Sequence, residues 1–422
     1  MSIITSIRRI FGKNPAFLTT KHNLEIIAKC STNAILHYDR DPGPAFTSEE
    51  VQKLLKSMTR IQVEKVFRKR SVQDNRIEYK FMTTEQLEKE YEKISKKAES
   101  QLQMPPVVKI KEDTPRLISK DAALKSFSNY PYVITDITYG LKQTERKVVI
   151  RQTDGTLEYA PQEVHKRMNQ LYFPLQGRKI RPPQMFEGEH LQRCLDEFKY
   201  EFILDRLCIQ FEPYEKEFHD ISSKVYQHIN ETKKFNDLRS TRHFGPMTFF
   251  LGWHKMIDDL LCDMIKRDFL KNGVELICLM YQLNSIEYDK SIHEKIEYIS
   301  PSEEIVKGLK KSINSTPDDI HEEIKSAIGK SREDFEQDEI CLQFIEDYIK
   351  NKALKKVPLD LAIQTFREAN EEKRKLYEEY TVVHYSCNKL RLCFNQCDIS
   401  KLLPNSTILI SRTLSKKEIC NN

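Results

Sequence analysis

Apolar positions recur every three or four residues along most of this chain, and that spacing predicts helices. In "TSEEVQKLLKSM" (47–58), Val51, Leu54, Leu55 and Met58 share one helix face behind Thr47 and Glu50, which stand at capping-box spacing. A second box, Thr83 to Gln86, opens "TTEQLEKEYEKISKKAESQLQ", with Leu87, Tyr91, Ile94, Ala98 and Leu102 as its stripe. Pro105 and Pro106 stop that helix, because proline has no N–H to give the ladder. The period then shortens. "YVITDITY" (132–139) and "RKVVIRQ" (146–152) are rich in β-branched and aromatic residues. Asp154-Gly155 between strand-like runs is a hairpin signal, so a small antiparallel sheet is expected from about 131 to 160.

A helix follows, with Pro161 near its first turn and Val164, Met168, Leu171 and Tyr172 as its apolar face. From about 188 to 380 the helical period dominates. "EPYEKEFHDISSKVYQHI" carries Tyr214, Phe218, Ile221, Val225 and Ile229, and "WHKMIDDLLCDMIKRDFL" carries Met256, Ile257, Leu260, Leu261, Met264 and Ile265. Such stripes are core packing. The expected fold class is mainly α: an irregular α-solenoid of antiparallel helix pairs, with a small antiparallel β-sheet in the middle of the chain. The segments are 1–45, a presequence and linker; 46–130, an N-terminal helical segment; 131–186, the small sheet plus a helix; 187–380, a repeat-like helical domain; and 381–422, a poorly ordered extension. No strict internal period assigns a repeat class.

Charge refines the two ends. The net charge is +5, but residues 1–38 hold five bases (Arg8, Arg9, Lys13, Lys21, Lys29) and one acid (Glu25), leaving 63 bases against 62 acids elsewhere. Ile3, Ile4, Ile7, Ile10 and Phe11 share a helical face there, as in a mitochondrial presequence; a basic tail is the alternative. "DRDPGPAF" (39–46) reads as a Pro/Gly linker. The near-neutral remainder favours protein partners over binding held mainly by phosphate. No apolar run approaches the roughly 18 residues of a membrane-spanning helix.

Little in the chain supports catalysis or a cofactor. Ten cysteines include no C-x-x-C pair, and the C-x5-C-x3-C of Cys387, Cys393 and Cys397 is not a usual zinc spacing, so reduced thiols and no metal are expected. No phosphate loop, dinucleotide fingerprint, H-E-x-x-H or G-x-S-x-G occurs. His243 beside Arg242 becomes a general base only if a carboxylate orients it, and Asp237 is the one near in sequence. Three basic clusters are candidate contacts for RNA or a partner: Arg68, Lys69 and Arg70; Arg178, Lys179 and Arg181; and Arg239 with Arg242. For the last of these, a structural turn competes. In it Leu238 and Phe244 pack inward, Arg239 closes a helix, and Gly245-Pro246 breaks the chain. The loop at 178–181 is the favoured contact, since Gly177 and Pro182-Pro183 hold it extended.

Seven collinear motifs carry a resemblance: "FTSEEVQKLLKSMT", "QMPPV", "YVITDITY", "YFPLQGRKI", "QFEP", "LRSTRHFG" and "IKRD". In order and spacing they resemble the mitochondrial ribosomal small-subunit protein 22 family, from about Phe46 to about Tyr380; residues 285–335 and those beyond 380 do not match. The resemblance implies a non-catalytic structural component of the mitochondrial small ribosomal subunit in the matrix, without a bacterial counterpart. It implies contacts with other small-subunit ribosomal proteins and with ribosomal RNA. A soluble mitochondrial helical-repeat adaptor is the alternative from another class.

Overall fold

Helix Phe244–Trp253 ("FGPMTFFLGW") has no charged residue, and all ten of its residues are buried. A helix that is apolar all round has no face for water, so the chain must wrap it. The computed structural model describes residues 35–67, 79–112, 116–126, 128–288 and 332–396. Residues 1–34, the Arg68, Lys69 and Arg70 cluster, most of 285–335, and 397–422 lie outside the described residues. The described residues fall into two compact units, one within 35–257 with 279–286 and the other within 258–278, 287–288 and 332–396.

In the first unit, helices Glu49–Thr59 and Lys216–Thr232 pack on the central helix. Val51, Leu54, Leu55 and Met58 are buried, and so are Ile221, Val225 and Ile229. Burying each such side chain contributes about 1.5–3 kcal/mol. Gly245 permits close approach: a Cβ there would lie 2.0 Å from Met104 Sδ, so the Met104 side chain would have to move from the helix. Pro246 is tolerated because it sits in the helix's first turn, where its N–H would have no partner. The chain break expected at Gly245-Pro246 therefore falls earlier, at the turn before Phe244.

Residues 39–46 are no linker. Tyr38 is ringed by Phe249, Phe250, Trp253 and His219 at centroid distances of 5.4–6.1 Å. Asp39 accepts the Trp253 Nε1–H at 2.8 Å, and the Arg40 guanidinium lies 4.7 Å from the Trp253 ring centre. The short helix Gly43–Thr47 sets Phe46 edge-on to Phe249 at 5.2 Å. The aromatic surface of the central helix, with its indole N–H, gives this segment partners that a Pro/Gly-rich stretch does not advertise. Thr47 ends that short helix, its hydroxyl donating to Gly43 O at 2.9 Å, so no capping box forms with Glu50. At Thr83 and Gln86 the box forms, with both hydrogen bonds present.

The sheet is antiparallel with four strands in the order β1-β4-β3-β2: β1 Leu117–Lys120, β2 Tyr132–Thr135, β3 Val148–Arg151 and β4 Thr156–Tyr159. Asp154-Gly155 makes the expected hairpin, with Gly155 at φ +84° and Asp154 accepting from the Thr156 N–H at 3.0 Å. A Cβ on Gly155 would lie 2.0 Å from Asp121 O. β1 lies inside the segment expected to be helical; four residues show no period of their own, and backbone pairing to β4 makes them a strand. Helix Gln162–Tyr172 also departs from expectation. Leu171 and Tyr172 are exposed, while Asn169 and Gln170 are buried.

The second unit holds helices Asp258–Lys266, Arg332–Asn351 and Lys356–Gln396 with residues 270–278. The stripe read as continuous from Trp253 is two helices, since Lys255 turns at φ +58°. Asp258 accepts from the Tyr348 hydroxyl at 2.7 Å and from the Leu354 and Lys355 N–H groups at 2.8 Å, fixing the corner before the last helix. That helix runs to Gln396, past the boundary expected at 380. Among the described residues helix lengths range from 4 to 41 residues.

Comparing a chain that lacks residues 1–36 with one that lacks 1–46 isolates the aromatic anchor. The longer deletion is expected to be less stable by at least about 3 kcal/mol in urea denaturation, from lost burial of Tyr38 and Phe46. Equal midpoints for the two truncations would refute the anchor.

Candidate functional site

The loop Leu238–Phe244 is built from the short helix Phe235–Leu238 and the start of the central helix. Leu238 and Phe244 are fully buried and Arg239 is the C-cap residue, as the turn reading requires. Ser240, at φ +64°, donates its N–H to Thr59 O at 3.1 Å, and its hydroxyl accepts from the Gln62 N–H at 3.2 Å. The loop is therefore laced to the chain that follows helix Glu49–Thr59.

Its charged groups turn inward. Arg239 is only 1% exposed, with its guanidinium 5.3 Å from the Phe244 ring centre, so the expected contact with phosphate is corrected: a nucleic acid outside cannot reach it. Arg242 directs Nε at 3.0 Å and Nη2 at 2.7 Å to Asp205 Oδ1. His243 Nε2 lies 2.9 Å from the same oxygen. Asp205, on helix Tyr200–Gln210, thus gathers both residues, and Asp237 is not the orienting carboxylate. Sequence reading could not find Asp205, which stands 38 positions away with no linear signature.

The cluster has the composition of a proton-transfer site without the access of one. His243 is 1% exposed, and burial, outweighing the Asp205 hydrogen bond, pushes its imidazole below the usual histidine range. It is neutral at pH 7, and its ring is held by Asp205. Among the described residues no group of three metal-ligating side chains occurs, and no helix is long and apolar enough to cross a membrane.

The 178–181 loop divides in two. Arg178 is folded back, with Nη2 2.7 Å from Glu212 Oε1 and Nε donating to Ile209 O at 3.1 Å, which corrects its candidacy as a contact. The main chain of Lys179 is clipped on both sides by the buried Gln210 amide, at 3.1 Å and 2.7 Å. Gln170 Nε2 donates to Arg178 O at 3.0 Å. These amides explain why helix Gln162–Tyr172 buries polar residues: it faces loops whose backbone groups need partners. Lys179 and Arg181 remain exposed, beside exposed Ile180. Nearby, an open depression of about 570 Å³ lies over Arg146 and Phe173. Arg146 is spent on the carbonyls of Asp136, Thr138 and Leu141, at 2.7–3.2 Å, and offers no catalytic pair there.

Burial lowers the pKa of His219 as well as that of His243. In the unfolded chain both titrate near the usual value of about 6.5, so below that pH the unfolded state binds more protons. Their contribution to stability is full above about 6.5 and is lost as pH falls toward the folded values. The urea midpoint is expected to drop between pH 7.5 and 5.5, and to drop less in a His219→Gln, His243→Gln double variant. Identical pH slopes in the two proteins would contradict this.

The family model described as mitochondrial 28S ribosomal protein S22 matches residues 44–285. The Mus musculus protein named small ribosomal subunit protein mS22 is 35% identical over 241 residues, covering 57% of this chain and 67% of the relative. The Bos taurus protein of the same name is 34% identical over the same lengths. The match takes in all seven collinear motifs, the His243–Asp205–Arg242 cluster and the sheet. With its family model spanning more than half its length, the chain belongs to the mitochondrial ribosomal protein S22 family.

Proposed function

We propose that this chain is a non-catalytic structural component of the mitochondrial small ribosomal subunit, working in the matrix through neighbouring ribosomal proteins and ribosomal RNA. The observation that carries this reading is the similarity over 241 residues to relatives named small ribosomal subunit protein mS22. The side chains fit a role in contact rather than chemistry. The imidazole nearest to a catalytic arrangement, His243, is buried against Asp205, and exposed Tyr130, Tyr132, Ile134, Ile137 and Tyr139 follow one another along one stretch of chain, an apolar surface suited to a partner. Lys179 and Arg181 are the cations assigned to RNA phosphate or an acidic neighbour, since Arg178, Arg239 and Arg242 are engaged internally.

Gradient sedimentation of mitochondrial extract tests the reading. The chain is expected in the small-subunit fractions at moderate salt, and its depletion lowers subunit abundance. Recovery only in light fractions, with subunits unchanged, would favour a soluble helical-repeat adaptor instead. If Lys179 and Arg181 meet phosphate, a Lys179→Ala, Arg181→Ala variant loses association most at low salt. Its log affinity against log salt flattens by roughly 1 per contact. An unchanged slope would remove these two residues from the RNA surface and leave membership of the subunit standing.

A further inference from the structure

The two edges of the sheet are not alike. At the β1 edge, the register shifts between Leu117 and Ser119, and Lys120 stands in the strand. A bulge and a lysine are the usual protections of an exposed edge. The β2 edge has neither: Tyr132, Val133, Ile134 and Thr135 pair in unbroken register with Arg151, Ile150, Val149 and Val148, and none of the four is charged. The Asp136 N–H donates to Lys147 O at 3.0 Å, so Asp136 faces β3. In an antiparallel pair residues alternate between bonding inward and outward. Ile134 and Tyr132 therefore bond to β3, and Val133 and Thr135 turn an N–H and a C=O each to the open side. No other described strand lies there.

We propose that this edge receives an extended segment of a neighbouring protein as a fifth strand, on the reading above that the chain is a subunit component. Outward main-chain donors and acceptors specify a polypeptide backbone, with alternate side chains setting the choice of partner. Tyr132 and Ile134, both half exposed, would meet apolar side chains of the incoming segment, and exposed Tyr130, Ile137 and Tyr139 continue the surface beyond the strand. Charge disfavours RNA as the occupant. Residues 130–141 contain no lysine or arginine and one acid, Asp136; Arg146, the cation bonded to this stretch, is spent on the carbonyls of Asp136, Thr138 and Leu141, and Lys147 and Arg151 lie on the β3 side, inside the edge. Pro131 has no N–H to offer and limits the pairing at that end.

Thr135→Pro removes an outward N–H that β3 does not use, and Ile134→Lys leaves the main chain intact while placing a charge on the edge. Each full-length variant is expressed against the wild-type chain, and both are quantified in purified small subunits. The melting temperature of each free variant is measured alongside. The expected result is at least a fivefold loss of subunit occupancy in folded variants. A photoreactive residue at Tyr139, which is almost wholly exposed, is expected to crosslink to one extended segment of another subunit protein. Wild-type occupancy of both folded variants would overturn the proposal, as would adducts to ribosomal RNA, to this chain's own residues or to a second copy. A wild-type chain missing from the subunit altogether would instead bring down the functional reading and this inference with it.

Discussion

Ten consecutive residues from Phe244 to Trp253 without a single charge oblige the rest of the first unit to cover them. Each neighbour answers that demand differently. Helices Glu49–Thr59 and Lys216–Thr232 bring apolar stripes, the Met104 segment lies where Gly245 has no side chain, and Tyr38 with Phe46 closes the aromatic side. The indole of Trp253 is the one polar point on that side, and Asp39 and Arg40 are held by it. A segment rich in proline and glycine packs on this helix through Tyr38 and Phe46 because the helix leaves aromatic surface for them.

Charge enters beside the central helix at Asp205. Asp205 receives Arg242 and His243 from consecutive positions of a tight loop, and with Ser240 bound to Thr59 the loop has little freedom. Desolvating charged groups is expensive, and such a pair gives weak net stability. Its effect is directional: it fixes how the chain enters the central helix. Neutral His243 suits that work, since it donates to Asp205 without bringing a second positive charge beside Arg242.

What remains for partners is set by what the fold has consumed. Arg178 and Arg239 are turned inward, Arg242 is paired with Asp205, and buried Gln170 and Gln210 hold the loop from which Lys179 and Arg181 extend. The surface left over combines a few exposed cations with many exposed apolar side chains and an unprotected strand edge. That balance suits a protein placed among other proteins more than one that grips nucleic acid along its length.

The sequence by itself determined the helical class, the hairpin at Asp154-Gly155, the capping box at Thr83, the buried stripes and, through its collinear motifs, the family. These are local patterns, repeated over a few residues by 3.6-residue or two-residue periodicity or by one turn's chemistry. It did not determine that Asp205 would be the partner of His243, that Tyr38 and Phe46 would pack on the central helix, that "RLISK" would pair as a strand, or that helix Gln162–Tyr172 would bury its amides. Each of those depends on which backbone or side chain arrives from a distant part of the chain. A cation in a linear motif reads the same whether it meets a buried carboxylate or open solvent, and only the tertiary structure decided which, because long-range packing alone sets desolvation and the choice of partner.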